Sequence, residues 1–186
     1  MKERLSTLPE IEAALWQELM RATHDRHHEW RTTVLATVCQ RGDALAADAR
    51  SVVLREVNAD AKELLVYTDA RAAKAMQLRE HPRGSLVMWS RRLGWQLRCD
   101  ARLTIEDEGL AVSSRWEVLK LSPAAQDYLA PLPPGTPLDA TPAALSERAC
   151  FAVITARVES IDWLELHRDG HRRALFSDAA AQWLQP

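Results

Sequence analysis

From Gln96 to Ile105 the chain alternates without a break. Leu97, Cys99, Ala101, Leu103 and Ile105 share one parity, and Gln96, Arg98, Asp100, Arg102 and Thr104 share the other. A period of two sustained this long commits the segment to a strand with one buried and one wet face. One-sided strands belong to antiparallel sheets. Shorter runs repeat the theme. Thr32–Cys39 is rich in β-branched residues, Arg41-Gly42-Asp43 supplies a turn, and Ala44–Ala49 reads as a weak return strand. Ser51–Val57 and Glu63–Thr68 follow as two further strands joined by a turn at Asn58-Ala59-Asp60. Ser85–Trp89, Phe151–Ile161 and Arg173–Ser177 complete six or seven strands, a meander that folds as a barrel or sandwich. Few helices interrupt it, which argues for an α+β, mainly β protein on an antiparallel barrel rather than a ferredoxin-like sheet.

Those helices are short. Ile11, Leu15, Leu19 and Ala22 recur at helical spacing within Pro9–Ala22, with Ala14 and Met20 widening the stripe. Ala72–Glu80 is a second helix, closed by His81-Pro82. Leu110–Leu119 is a third, Ser122-Pro123 opens a short fourth, and Thr141-Pro142 begins another. The prolines from Pro131 to Pro137 bar both a helix interior and a central strand. A length of 186 residues fits one domain over 1–186, with an N-terminal helical segment at 1–30 and a proline-rich helical excursion at 122–148.

Composition narrows the function classes. The 24 Lys and Arg balance 26 Asp and Glu, so a basic nucleic-acid footprint is not expected. Arg91-Arg92 between Trp89 and Trp95 reads as a turn, with both rings packed at the barrel end. Three scattered cysteines suit a reducing compartment rather than a disulfide framework. No apolar run approaches a membrane span and no signal segment opens the chain, so a cytoplasmic protein without membrane partners is expected. His24, His27 and His28 lack the ligand count and geometry of a metal site, so none is expected.

The chemistry sits in a few residues. Arg50-Ser51-Val52-Val53-Leu54-Arg55 is an apolar strand bracketed by arginines that point to opposite faces, being five apart. Tyr67-Thr68 ends the next strand and Lys74 lies on the helix after it. A strand end, a hydroxyl and a cation on the following helix make a phosphate cradle. Arg50-x-x-Val53-Leu54-Arg55, Tyr67-Thr68, Lys74 and Gln96, in that order and spacing, resemble the pyridoxamine 5′-phosphate oxidase family of FMN-binding split barrels. The late Trp163 and His171-Arg172-Arg173 resemble the same family's C-terminal flavin contacts.

The resemblance implies an antiparallel split β-barrel with short peripheral helices and FMN as cofactor, bound at a homodimer interface. Arg50 and Lys74 would hold the FMN phosphate, with Thr68 adding a hydroxyl. Val53 and Leu54 would lay strand backbone along the flavin ring, with Arg55 and Tyr67 bordering it. Gln96 would bond the flavin's polar edge, and Trp163 and Arg173 would come from the second subunit. Arg55, Lys120 and His171 line the implied substrate side and suit a small polar or anionic molecule. No protein acid or base is assigned.

Departures from the oxidase pattern are specific. Ala73 stands where the oxidase has a basic residue, with Arg71 nearby. The oxidase's substrate-phosphate residues correspond to Trp116, Lys120 and Ala124, and its late Arg-x-His reads Asp169-Gly170-His171. The chain therefore resembles a branch distinct from the oxidase itself. An FMN-dependent oxidoreductase is the expected function. A non-catalytic flavin- or haem-binding barrel is the alternative, and a deazaflavin would share the phosphate-bearing tail.

Overall fold

Alternation along each strand is what rolls this chain into a barrel, as seen in a computed structural model that describes residues 4–141 and 150–186. Eight strands form among the described residues. They are β1 (Thr32–Arg41), β2 (Ala44–Asn58), β3 (Glu63–Asp69), β4 (Arg83–Ser90), β5 (Trp95–Glu106), β6 (Phe151–Glu165), β7 (Arg172–Ser177) and β8 (Ala181–Leu184). Every pairing is antiparallel and the order is β3-β2-β1-β4-β5-β6-β7-β8. A further β3–β6 ladder closes the first six strands into a barrel.

Strand β6 makes the split. It pairs with β5 along its length, with β3 through Phe151–Arg157, and with β7 through Ser160–Glu165. The barrel thus opens where β6 leaves β3, and β7 and β8 extend the sheet beyond it. The expected pair Ala44–Ala49 and Ser51–Val57 is one strand, because β1 offers an unbroken ladder from Arg41↔Ala44 to Thr32↔Val53. Strand β8 was not expected at all. Four residues with only one side half-buried leave almost no periodic trace.

Inward residues fill the barrel as the alternation requires. Leu97, Cys99, Ala101 and Leu103 of β5 are buried with Leu35, Leu54, Leu64, Leu86, Met88, Ile154 and Phe176. Gly84 is needed where β4 meets β1, since a Cβ there would lie 2.4 Å from the Ala36 carbonyl oxygen.

Helix α1 (Leu8–His24) plugs the barrel with Ile11, Leu15, Leu19 and Ala22, and starts from a Thr7–Glu10 capping box. Met20 is exposed, and the buried place beside Leu19 belongs to Glu18. That carboxylate accepts from Arg21, Arg92 and His28. The remaining helices are α2 (Ala73–Glu80) and α3 (Leu110–Leu119), with a 3₁₀ segment at Pro123–Tyr128. Tyr128 packs with Trp116, Phe151 and Leu65 as a second small core outside the barrel. The helix expected from Thr141-Pro142 and the end of the proline-rich excursion lie outside the described residues. No helix among the described residues is long and apolar enough to cross a membrane.

Candidate flavin site

Three clusters on this barrel hold the residues singled out by sequence. The first gathers where β2 meets α2. Arg50 shares the inward parity of Val52 and Leu54 but lies two residues nearer the barrel mouth, half-buried. Its Nη1 donates to Thr37 Oγ1 at 2.5 Å and to the Leu35 carbonyl at 3.3 Å. Its Nη2 donates to Asp48 Oδ2 at 2.6 Å and to Gln77 Oε1 at 2.9 Å. Gln77 closes the ring by donating to Asp48 at 2.8 Å. Lys74, one turn before Gln77 on α2, is the contrast. It has no hydrogen-bond or ion-pair partner among the described residues. Burial, then the charge of Arg50, lowers its pKa, while Asp69 opposes. A half-buried cation pressed toward a second cation, with no counter-ion of its own, is a place for an anion.

Thr68 is buried on the inward side of β3, its hydroxyl on the Asp69 carbonyl. Arg71, the nearby cation, is already paired. It grips the buried Asp69 at 2.7 Å and donates to the Ala130 carbonyl at 2.9 Å.

Tyr67 projects from the opposite face of β3 and belongs to the second cluster. Its hydroxyl donates to Glu56 at 2.5 Å, and Arg115 of α3 clasps the same carboxylate through two bonds of 2.6 and 2.8 Å. Burial, then the Glu56 bond, pushes the phenol pKa up, so Tyr67 stays a donor. Arg55 lies 5.7 Å over the Tyr67 ring and has no ion pair among the described residues. It thus faces away from Arg50, as their odd spacing requires. Val53 shares its outward parity, whereas Leu54 is fully buried and offers only backbone to a ligand.

The third cluster is a row across the outer face of the sheet. Gln96 pairs with Trp89 on β4 and Leu164 on β6, and Leu164 pairs with Arg173 on β7. Asp162 beside them accepts from Arg98 and from Arg173, the latter at 2.6 and 2.9 Å. Burial alone would raise the Asp162 pKa, but the two guanidinium bonds outweigh it and hold the carboxylate ionised.

The family model described as the pyridoxamine 5′-phosphate oxidase FMN-binding domain matches residues 13–107, just over half of the chain. The chain belongs to that family.

Solved structures share the split-barrel fold. An FMN-binding protein related to pyridoxamine 5′-phosphate oxidase from Nostoc punctiforme superposes with a TM-score of 0.73 at 22% identity, covering 94% of this chain and 96% of that one. PhzG from Burkholderia lata, solved with tetrahydrophenazine-1-carboxylic acid, gives 0.72 at 16%, covering 96% and 92%. A heme-binding protein from Mycobacterium smegmatis gives 0.53 at 18%, covering 94% and 59%. No curated protein sequence matches the chain significantly.

The family match spans Arg50, Val53, Leu54, Arg55, Tyr67, Thr68, Lys74 and Gln96 and stops short of Lys120, Trp163, His171 and Arg173. Trp163 departs most from expectation. It does not offer its ring to a second chain. It is fully buried, edge-on to Trp95 at 5.5 Å, with Arg172 stacked over it. Inward parity on β6 decides this, since the neighbours Asp162 and Leu164 take the outer face. Lys120 pairs with Glu117 at 2.5 Å on the surface of α3. His171 sits in the β6–β7 turn, its Nδ1 accepting from the His167 amide. Trp89, expected inside, is 45% exposed on the outer sheet face, while Trp95 is buried.

Sequence reasoning passed over Asp48, Gln77, Glu56 and Arg115. Asp48 was within reach of it, because i and i−2 on a strand share a face with Arg50. Likewise Gln77 is one helical turn from Lys74. Arg115 meets Glu56 only through the tertiary fold.

Proposed function

We propose that this protein binds FMN through Arg50, Lys74 and Thr68 and works as a cytoplasmic, homodimeric oxidoreductase on a small polar or anionic substrate. The observation that carries the reading is Lys74, half-buried beside Arg50 without a counter-ion. A phosphate bound there would meet two cations with fixed donors. Val53 and the row from Trp89 through Gln96 would line the ring. A bound flavin supplies two-electron chemistry at its N5. The protein's part is to orient it, with Gln96 bonding its polar edge and Arg173 reaching it from the second subunit.

The dimer is supported by geometry. Arg55 lies near the β3 end of the barrel, where Tyr67 pairs with Val153, while His171 follows Glu165 at the far end of β6. Twelve residues of strand separate Val153 from Glu165, roughly 40 Å. That separation within one chain supports a pocket shared with a second copy running the other way. Val34 and Trp89, 39% and 45% exposed on the outer sheet face, are apolar surface such a copy would cover. The three free cysteines fit a reducing compartment.

One feature favours a second reading, a non-catalytic flavin or haem carrier. Lys120 is paired with Glu117, so fewer of the implied substrate-side cations are free for an anionic substrate. For haem, His24, His27, His28, His167 or His171 would have to serve as axial ligand, and His28 would first have to leave Glu18 and the Trp30 amide.

The visible spectrum of the purified protein, before and after denaturation, tests both. A two-banded flavin spectrum released as FMN, bleached by a nicotinamide donor, is expected. A bound flavin that neither bleaches nor reoxidises in air would select the carrier, and a sharp Soret-type band would select haem. A colourless protein that ignores added FMN would overturn the reading.

A further inference from the structure

Arg50 is not waiting with its donors free. Asp48, two residues before it on the same face of β2, holds its Nη2 at 2.6 Å, and Gln77 fixes that carboxylate with a second bond. The bond from Gln77, then the charge of Arg50, lowers the Asp48 pKa, so it stays anionic near neutral pH. An incoming phosphate would seek the same guanidinium edge and meet a negative charge already seated on it.

We propose that Asp48 is a resident counter-ion that competes with the cofactor's phosphate for Arg50 and so sets how tightly the cofactor is held. The inference rests on the flavin reading above. Asp48 is not needed to position Arg50. The Thr37 hydroxyl, the Leu35 carbonyl and the Gln77 amide oxygen are three neutral acceptors that fix the guanidinium by themselves. Asp48 is the carboxylate ion-paired to Arg50 among the described residues, with about a third of its side chain exposed. It is therefore free to swing toward solvent when a phosphate arrives, while Gln77 stays buried in place. Lys74 has no such competitor, so the first cation to engage the phosphate is Lys74. Arg50 follows as Asp48 yields.

The test compares Asp48→Asn with the parent for binding of FMN, of riboflavin and of inorganic phosphate as competitor. Asparagine keeps the shape and an acceptor while removing the charge. FMN affinity is expected to rise about tenfold, as when a charged hydrogen bond no longer has to be exchanged. Riboflavin, which lacks the phosphate, is expected to bind unchanged, and phosphate to compete more strongly. FMN affinity that stays level or falls in Asp48→Asn would overturn the competition. Arg50→Ala separates this from the flavin reading. If it leaves FMN affinity intact, the phosphate site itself is elsewhere. If it weakens FMN while Asp48→Asn does not tighten it, only the competition fails. Carboxyl NMR on the unsubstituted protein gives a check that needs no variant. The Asp48 titration is expected to move upward when FMN binds, and a titration that does not move would refute displacement.

Discussion

Single side chains here do their work by which face of a strand they leave from. Arg50 and Arg55 differ by an odd number of residues, and that alone assigns one to the barrel mouth and the other to the outer face. Arg50→Ala is expected to weaken FMN binding by about 1.5–3 kcal/mol, the value of a hydrogen bond to a charged group. Calorimetric titration would register it, and riboflavin should lose far less. The buried carboxylates make a separate prediction. Burial raises the Glu165 pKa, but bonds from Arg172, Arg4 and Trp95 outweigh it and leave it below its ordinary 4.5. A carboxylate lowered in the folded state stabilises above its unfolded value and loses that contribution as pH falls through the folded one. The melting temperature should therefore hold between pH 6 and 5 and drop below about 4.5. Glu165→Gln, though less stable throughout, should show a flatter acid limb. An unchanged slope would mean other groups drive acid unfolding.

Elements are specified by short local signals that the fold then combines. The capping box of α1 is one such signal. Thr7→Ala should cost about 1 kcal/mol, seen as a lower melting temperature. Gly84 acts at the same scale, because the β4–β1 ladder leaves no room for a side chain against the Ala36 carbonyl. Gly84→Ala is expected to destabilise more than Thr7→Ala, since backbone rather than a flexible side chain must move. How legible each element was follows from how local its cause is. Strand β5 could be read residue by residue because every second position meets the core. Thr68 and Lys74 could be read together because a strand end and the next helix lie close in sequence, whereas the nearness of Arg50 to Lys74 comes from the fold. By contrast Glu18 has an apolar position's burial for reasons 10 and 74 residues away, at His28 and Arg92. Trp163 looked like a ligand contact by its place in a late motif. The parity of β6, set by its long ladder with β5, turned it inward instead.

At the scale of the molecule, the proposed function ties the cofactor site to the association of two chains. If the outer sheet face is the interface, Trp89→Glu should yield monomers by light scattering and lose most of the bound flavin in the same preparation. A dimer that persists, or a monomer that keeps its flavin, would separate the two properties and count against a shared site. The split in the barrel also has a consequence for how the protein is made. Asp69 finds its partner Phe151 only after 82 more residues have been added. At roughly 5–20 residues per second on the ribosome, β3 stands with a bare edge for several seconds. Through that interval the nascent chain is an open curved sheet with half a seam. Each of the residues that zip it shut, Phe151–Arg157, is made long after the β3 partner it covers.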